Sequence, residues 1–416
     1  MFPKLRFKEF DGNWNLLTFS DVFKFYNTNS YSRALLEENG EIMNIHYGDI
    51  HTKFSMLFDV EKEKAPYLSK EIESHKINED NFLKVGDLVI ADASEDYKDI
   101  GKTIEIINLN NKKVVAGLHT YIARPLKPFA LGFNGYLMQT HTIRTQIQKL
   151  ATGISVLGIS KTNISKVELY LPSPEEQTKI ASFLSAVDEK ISQLSQKHQL
   201  LSQYKQGMMQ KLFSQQVRFK ADDKSEFGEW EEKPLIEITS KASGKNKDGS
   251  VTEVLTNSAT KGIIKQSDYF DREIVTESNL NGYYIVNIDD FVYNPRISVH
   301  APVGPIKRNK QCLGVMSPLY TVFKITQGNL TYLEYFFDSN FWHDYVKSVA
   351  NSGARHDRMN ITNKDFFDMP VLYPSLEEQT KIANFLSSID QKIEVVAQQI
   401  EQAKQWKKGL LQNMFI

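Results

Sequence analysis

Cysteine is almost missing from this chain. Cys312 is the single thiol in 416 residues, so neither an intrachain disulfide nor a cysteine-based zinc site is available. Long apolar runs are missing as well. No stretch approaches the roughly 18 apolar residues of a membrane span, and the opening MFPKLRFKEFDGNW lacks the apolar core of a secretion signal. A soluble, cytoplasmic protein is expected. Nor is there an excess of charge of one sign: 50 Lys and Arg against 51 Asp and Glu give a net charge of −1. That excludes a uniformly basic, histone-like protein but not a local basic patch, because binding depends on where the charge lies. The chain is 41% hydrophobic and 24% charged, enough for a buried core. At about 150 residues per domain, two or three units are expected.

Catalytic signatures are missing too. Gly101-Lys102-Thr103 ends like a phosphate-binding loop, but Asp96 stands where its first glycine is required. Gly153 to Gly158 has the wrong spacing for a nucleophile elbow, and no GxGxxG follows a strand. Asn294-Pro295-Arg296 lacks the second proline and the aromatic residue of an adenine-methylating loop. The histidines at 46, 51, 119, 141, 300 and 356 form no HExxH, and Glu61 and Glu63 lie in a charged loop. The sequence presents no catalytic or metal constellation.

What the chain does have, it has twice. EEQTKIASFLSAVDEKI, from Glu175 to Ile191, returns 202 positions later as EEQTKIANFLSSIDQKI, from Glu377 to Ile393, with 13 of 17 residues identical. Beyond it Tyr204 matches Trp406, Gly207 matches Gly409, Gln210 matches Gln412 and Phe213 matches Phe415. Phe10-Asp-Gly-Asn-Trp14 resembles Phe227-Gly-Glu-Trp230. More weakly, GDLVI (86–90) can be laid on DDFVY (289–293), which places Gly101 on Gly304. The order is globular, helix, globular, helix.

Both repeated segments carry helix start signals: Pro174 and Pro374 in the first turn, Ser173 and Ser375 as caps, and paired glutamates at the positive end. Their apolar residues follow steps of four and three. The first seam is Ile180, Leu184, Val187, Ile191, Leu194, His198, Leu201, Lys205, Met208, Leu212. The second is Ile382, Leu386, Ile389, Ile393, Val396, Ile400, Ala403, Lys407, Leu410, Met414. This is the heptad pattern of a coiled coil, and the simplest partner for each helix is the other copy. Lys205 and Lys407 break the seam at the same place, where Tyr204 and Trp406 are expected to supply apolar contact.

The segments between are different in kind. KVGDLVI (84–90), KTIEIINL (102–109), VVAGLHTYIA (114–123), GYYIVNI (282–288) and LYTVFKI (319–325) read as strands, and 139–150 and 331–349 as short helices. The expected fold is α+β: two mixed, mainly β domains separated by two long helices that form an antiparallel intrachain coiled coil, with pseudo-twofold symmetry. The boundaries read as 1–173, 174–216, 217–373 and 374–416. Cations in turn-rich segments are the candidates for phosphate contacts and guanine reading. They are His51, Lys53, Lys102, Arg124, Arg144 and Lys161 in the first half, and Arg296, His300, Lys307, Arg308, Lys310, Arg355, His356 and Arg358 in the second.

The doubled P-x-x-EEQ-x-K-I-A-x-FL pattern, with the Trp14 and Trp230 openings, resembles the specificity subunits of type I restriction–modification systems. The resemblance runs the length of the chain. It implies a non-catalytic subunit whose two target recognition domains each read half of a bipartite site on double-stranded DNA, while the helices set the gap. It further implies two modification subunits, which carry S-adenosylmethionine, and restriction subunits, which use ATP and Mg²⁺. No cofactor is expected on this chain. The unlike inner halves imply an asymmetric target. Two other readings stand beside it: a coiled-coil adaptor presenting two protein-binding modules, and a self-sufficient methyltransferase or nuclease, against which the absent motifs argue.

Overall fold

The computed structural model describes residues 2–72, 77–241, 244–268, 277–351 and 357–416. The chain divides into two compact units, Met1–Gln196 with Ala397–Ile416, and Lys197–Val396. The repeated segments are helices Pro174–Phe213, of 40 residues, and Leu376–Asn413, of 38. Each unit holds one globular half, the start of the long helix that follows it, and the end of the other long helix. The helices therefore pair antiparallel. Every seam position is buried or half-buried, as a heptad stripe with a partner must be.

In the first unit a five-stranded sheet runs Phe23–Tyr26, Thr120–Pro125, Leu88–Ala91, Thr103–Asn108, Leu57–Asp59. Its neighbours are antiparallel except the last pair. The central strand Leu88–Ala91 is wholly buried because both sheet faces are covered. Leu88 and Ile90 point into a core shared with the long helices, and Val89 and Ala91 into a second core with Ile104 and Val114. That two-sided burial is why the sequence shows a continuous apolar run here rather than alternation. A four-stranded sheet, Lys113–Ala116, Ile42–Ile45, Tyr67–Leu68, Leu36–Glu37, lies in the same half.

The second unit has a four-stranded antiparallel sheet, Thr239–Lys241, Thr321–Ile325, Phe291–Tyr293, Ile306–Arg308. The strand Phe291–Tyr293 again divides its side chains between two cores, Phe291 and Tyr293 against Val292. The weak inner alignment thus marks equivalent strands. Before each, a residue with positive φ, Gly86 at 92° and Asp289 at 71°, precedes a buried aspartate. Asp87 accepts from the Lys84 N–H at 2.8 Å, and Asp290 from the Asn287 N–H at 2.7 Å.

The expected helices differ in detail. The first, expected over 139–150, is His141–Leu150, capped by Thr140, and a further helix that the sequence did not suggest, Phe133–Gln139, runs directly before it. The second is Leu330–Asp338 and His343–Val349; the chain breaks at Ser339, and the Trp342 indole is buried with its N–H on the Phe337 carbonyl.

The recurring signature residues tie each globular half to its helices. In the first unit Arg6 makes a two-pronged ion pair with buried Glu176, at 2.8 and 2.7 Å, and donates to the Gly12 carbonyl. In the second, Arg218 does the same to buried Glu378 and Gly228, and the Trp230 indole also donates to Glu378. Gln177 and Gln379 donate to the carbonyls of Pro172 and Pro374 and accept from the backbone N–H of Ala130 and Asn329. The strand after each opening tryptophan pairs with the strand before each long helix: Asn15–Thr18 with Glu168–Leu171, and Glu231–Pro234 with Pro370–Tyr373. Phe415 packs edge-on against Trp14, and Phe213 packs against Tyr332.

The seam lysines depart from expectation. Trp406, though 54% exposed, does supply an apolar contact, edge-on against Phe183 of the opposite helix at 5.9 Å, whereas Tyr204 is 51% exposed. The lysines themselves are held by charge: Lys205 pairs with Asp390 and Lys407 with Asp188, each on the opposite helix. Each aspartate also accepts from a tyrosine of the globular half, Tyr335 or Tyr136. An aliphatic lysine stem can lie in an apolar seam once its ammonium has a partner.

Candidate nucleic-acid interface

In both units the segment that follows the central strand runs beside the loop that precedes a short capped helix. In the first, Ala93–Ser94 pairs with Leu157–Gly158, and Ser160 caps helix Lys161–Ile164. In the second, Arg296 pairs with Arg358, and Thr362 caps helix Asn363–Phe367. Bridges Thr152–Gly158 and Asn351–Asn360 close the two loops. This edge gathers most of the cations expected from the sequence, but in different roles.

At the first edge, several cations hold backbone. His51 Nε2 lies 3.0 Å from the Ala93 carbonyl, and Lys102 donates to the His51 carbonyl at 2.7 Å. Arg144 donates to the carbonyls of Lys98 and Ile100, and burial holds its pKa below the usual guanidinium range. Lys161 lies over the rings of Tyr121 and Phe25. His119, at φ 56°, sits 3.1 Å from Asp92, and burial with Asp92 nearby pushes the Tyr121 hydroxyl up to about 12. Lys53 is exposed but pairs with Asp49 at 3.1 Å. Arg124 is away from this edge: it forks onto Asp87 at 2.9 and 2.8 Å and stacks on Tyr26.

At the second edge, Arg296 and His300 are exposed, and Arg358 is half-buried. Arg296 makes no side-chain hydrogen bond or ion pair among the described residues, and Arg358 has only a loose one, 3.8 Å to Asp357. Lys307 pairs with Asp338 at 2.5 Å, and Arg308 with Asp289 at 2.8 and 2.6 Å. Arg355 and His356 lie outside the described residues.

Sequence reasoning missed the loop tips. Ile154 is 102% exposed, and Val299 is 97% exposed. Composition gives no signal for either, since an apolar residue in a strand-rich segment is read as core. Beside Pro295 and Met359 lies a cleft of about 520 Å³, also lined by Tyr284, Tyr293, Asn360 and Phe366. Among the described residues no three His, Cys, Asp or Glu are grouped to hold a metal ion, and no helix is long and apolar enough to cross a membrane.

A family model described as the type I restriction modification DNA specificity domain matches residues 12–203 and again 227–405. The chain is 28% identical over 350 residues to a putative type I restriction enzyme specificity subunit, MjaX, of Methanocaldococcus jannaschii, covering 79% of this chain and 77% of that protein. It is 27% identical over 293 residues to the MjaVIII specificity subunit of the same organism, covering 66% and 68%. The crystal structure of a type I restriction–modification S subunit from M. genitalium superposes with a TM-score of 0.54 at 14% identity, covering 100% of this chain and 99% of that one. At that identity the likeness is one of fold.

Proposed function

Because the chain belongs to the family of type I restriction–modification DNA specificity domains, we propose that it is a subunit that reads a bipartite, asymmetric site on double-stranded DNA, each globular half reading one part. In this reading residues 1–173 and 217–373 are the readers. Residues 174–216 and 374–416 are the spacer that sets the unread gap and docks two modification subunits. Adenine methylation with S-adenosylmethionine, and cleavage with ATP and Mg²⁺ by restriction subunits, belong to those partners. This chain contributes recognition and no chemistry.

One observation carries the reading: the two units share a frame and differ in what the frame holds. The Arg–Glu fork, the glutamine bridge and the Tyr–Asp–Lys contact recur residue for residue. The sheets they support differ in strand number and in their edge loops. A constant frame with unlike inserts suits two readers of unlike sequences, because base choice depends on a few side chains on loops.

The test is to map N6-methyladenine in cells with and without this gene, and with residues 217–373 replaced by the corresponding domain of another family member. One half of the methylated motif should change while the other stays. A change in both halves would remove the modular reading. A complex that binds no DNA sequence specifically would favour the adaptor instead.

A further inference from the structure

The second unit carries a narrow hairpin finger. Ser298 and Ala301 exchange both backbone hydrogen bonds, at 3.0 and 3.1 Å, leaving Val299 and His300 as a two-residue tip. Its root is fixed. The Ile297 N–H donates to the Asp357 carbonyl and the Met359 N–H to the Pro295 carbonyl, both at 2.9 Å. Behind the tip, Ala301 and Val303 are buried. Gly304, at φ 82°, packs so closely that a Cβ there would lie 2.1 Å from the Asn294 carbonyl. The tip is thus a hydrogen-bonded projection on a closely packed root.

Two features of this finger point to a ligand. First, Arg296 and Arg358 face each other across the root. The hydrogen bonds flank this pair rather than join it, so it is of the kind in which side chains approach most closely. Like charges in that position repel, and the carboxylate of Asp357 is 3.8 Å away. An anion between the guanidinium groups removes the repulsion. Second, Val299 is 97% exposed. A lone exposed valine needs no explanation by itself. Here it stands at the apex of a fixed ribbon with an anion-seeking pair at its base.

We propose that this finger enters the major groove, that Arg296 and Arg358 hold one backbone phosphate, and that Val299 packs on the 5-methyl group of a thymine. The inference rests on the DNA-reading function and deepens it by naming the residue and the base. A two-stranded ribbon fits the major groove, and the thymine methyl is the apolar mark displayed there. The minor groove carries no such methyl. The two arginines position the finger without reading sequence, and Val299 reads.

The experiment uses the complete chain in complex with its modification subunits and a duplex bearing the motif found by methylation mapping. Each thymine is replaced in turn by deoxyuridine, which removes the methyl and nothing else. For the natural protein, one replacement should weaken binding roughly four- to fifteenfold, the loss of one or two buried methyl-sized contacts. Val299→Ala should bind the thymine duplex as weakly as the natural protein binds that deoxyuridine duplex, and should be indifferent to the replacement. The substitution is at an exposed tip, so folding is not at issue, and unchanged circular dichroism checks it. Three results overturn the inference: no thymine is sensitive, Val299→Ala binds like the natural protein, or it loses equally on both duplexes. Increased 2-aminopurine fluorescence at one step, reporting unstacking by an inserted side chain, overturns it as well. Absence of any sequence-specific binding by the natural complex would instead be a failure of the DNA-reading function itself.

Discussion

The ammonium of Lys205 lies 2.7 Å from Oδ1 of Asp390, in the seam between the two long helices. Asp390 also accepts the Tyr335 hydroxyl at 2.6 Å, so helix, helix and globular half meet at one carboxylate. Asp188 plays the same part in the other unit, with Lys407 and Tyr136. A polar contact at a defined place in an apolar seam favours one register over its neighbours, since slipping by a heptad strands both charges. Side-chain exposures of 21% and 41% keep the direct energy modest. A double-mutant cycle on Lys205→Met and Asp390→Ala should give a coupling of about 1 kcal/mol by urea unfolding. Charge exchange, Lys205→Asp with Asp390→Lys, should recover part of the loss of either single change. Additive single effects would mean that the contact sets nothing.

A larger effect is expected at the fork of Arg218 and Glu378. The Glu378 side chain is fully buried and accepts from Arg218 and Trp230. Arg218→Ala leaves that carboxylate with the indole alone and should cost about 3 kcal/mol, the lower part of the range for breaking a buried pair, because Arg218 keeps 24% exposure. Hydrogen exchange should accelerate at the strand pair Glu231–Pro234 with Pro370–Tyr373, which the fork adjoins. A loss below about 0.5 kcal/mol, the usual size for a surface substitution, would show that the fork is not a fastening.

Glu105 gives a pH dependence. Its carboxylate is buried in the first unit and accepts the N–H groups of Gly132 and Gly135 at 2.8 and 2.6 Å, next to helix Phe133–Gln139. Burial outweighs those bonds and raises its pKa to about 7. The folded protein therefore holds this proton more tightly than the unfolded chain does. The stability it confers is full below the unfolded pKa, near 4.5, and is lost as pH rises through about 7. The loss should be on the order of 3 kcal/mol. Glu105→Gln should remove that slope, read as the difference between the two unfolding curves from pH 4.5 to 7.5. Parallel curves would place the titration elsewhere.

The frame was legible in the sequence because it is built from local patterns used twice. The identities from Glu175 and Glu377 locate both helices, and the steps of four and three locate their buried faces. The GDLVI and DDFVY pairing located equivalent central strands because each needs a positive φ and then a buried aspartate. Partners across the fold were not legible. Arg124 is 37 residues from Asp87, and Arg308 is 19 from Asp289, and neither arginine lies at a matching position in the alignment. Nor does a seam lysine announce its aspartate on another helix, 185 residues away. Charge type is visible in a sequence, but whether a charge is already satisfied is a property of packing.

That distinction separates two arginines which the sequence placed together. Arg308 is 14% exposed and holds Asp289 with two nitrogens, beside Glu334. Arg296 is exposed, at the root of the hairpin, with no side-chain partner among the described residues. A cation already bound to carboxylates has little to offer a phosphate, since it must first give up what holds it. Arg308→Ala should therefore lower stability by about 1–3 kcal/mol and leave the slope of log affinity against log salt unchanged. Arg296→Ala should leave the unfolding midpoint in place and reduce that slope by about 1, the release of one phosphate's counterions. Both variants are measured in the complex with the modification subunits, at several salt concentrations. If the slope falls for Arg308→Ala and holds for Arg296→Ala, then the DNA approaches a different face of the second unit. Arg124, forked onto Asp87, should behave as Arg308 does, in a unit whose edge loops are unrelated in sequence.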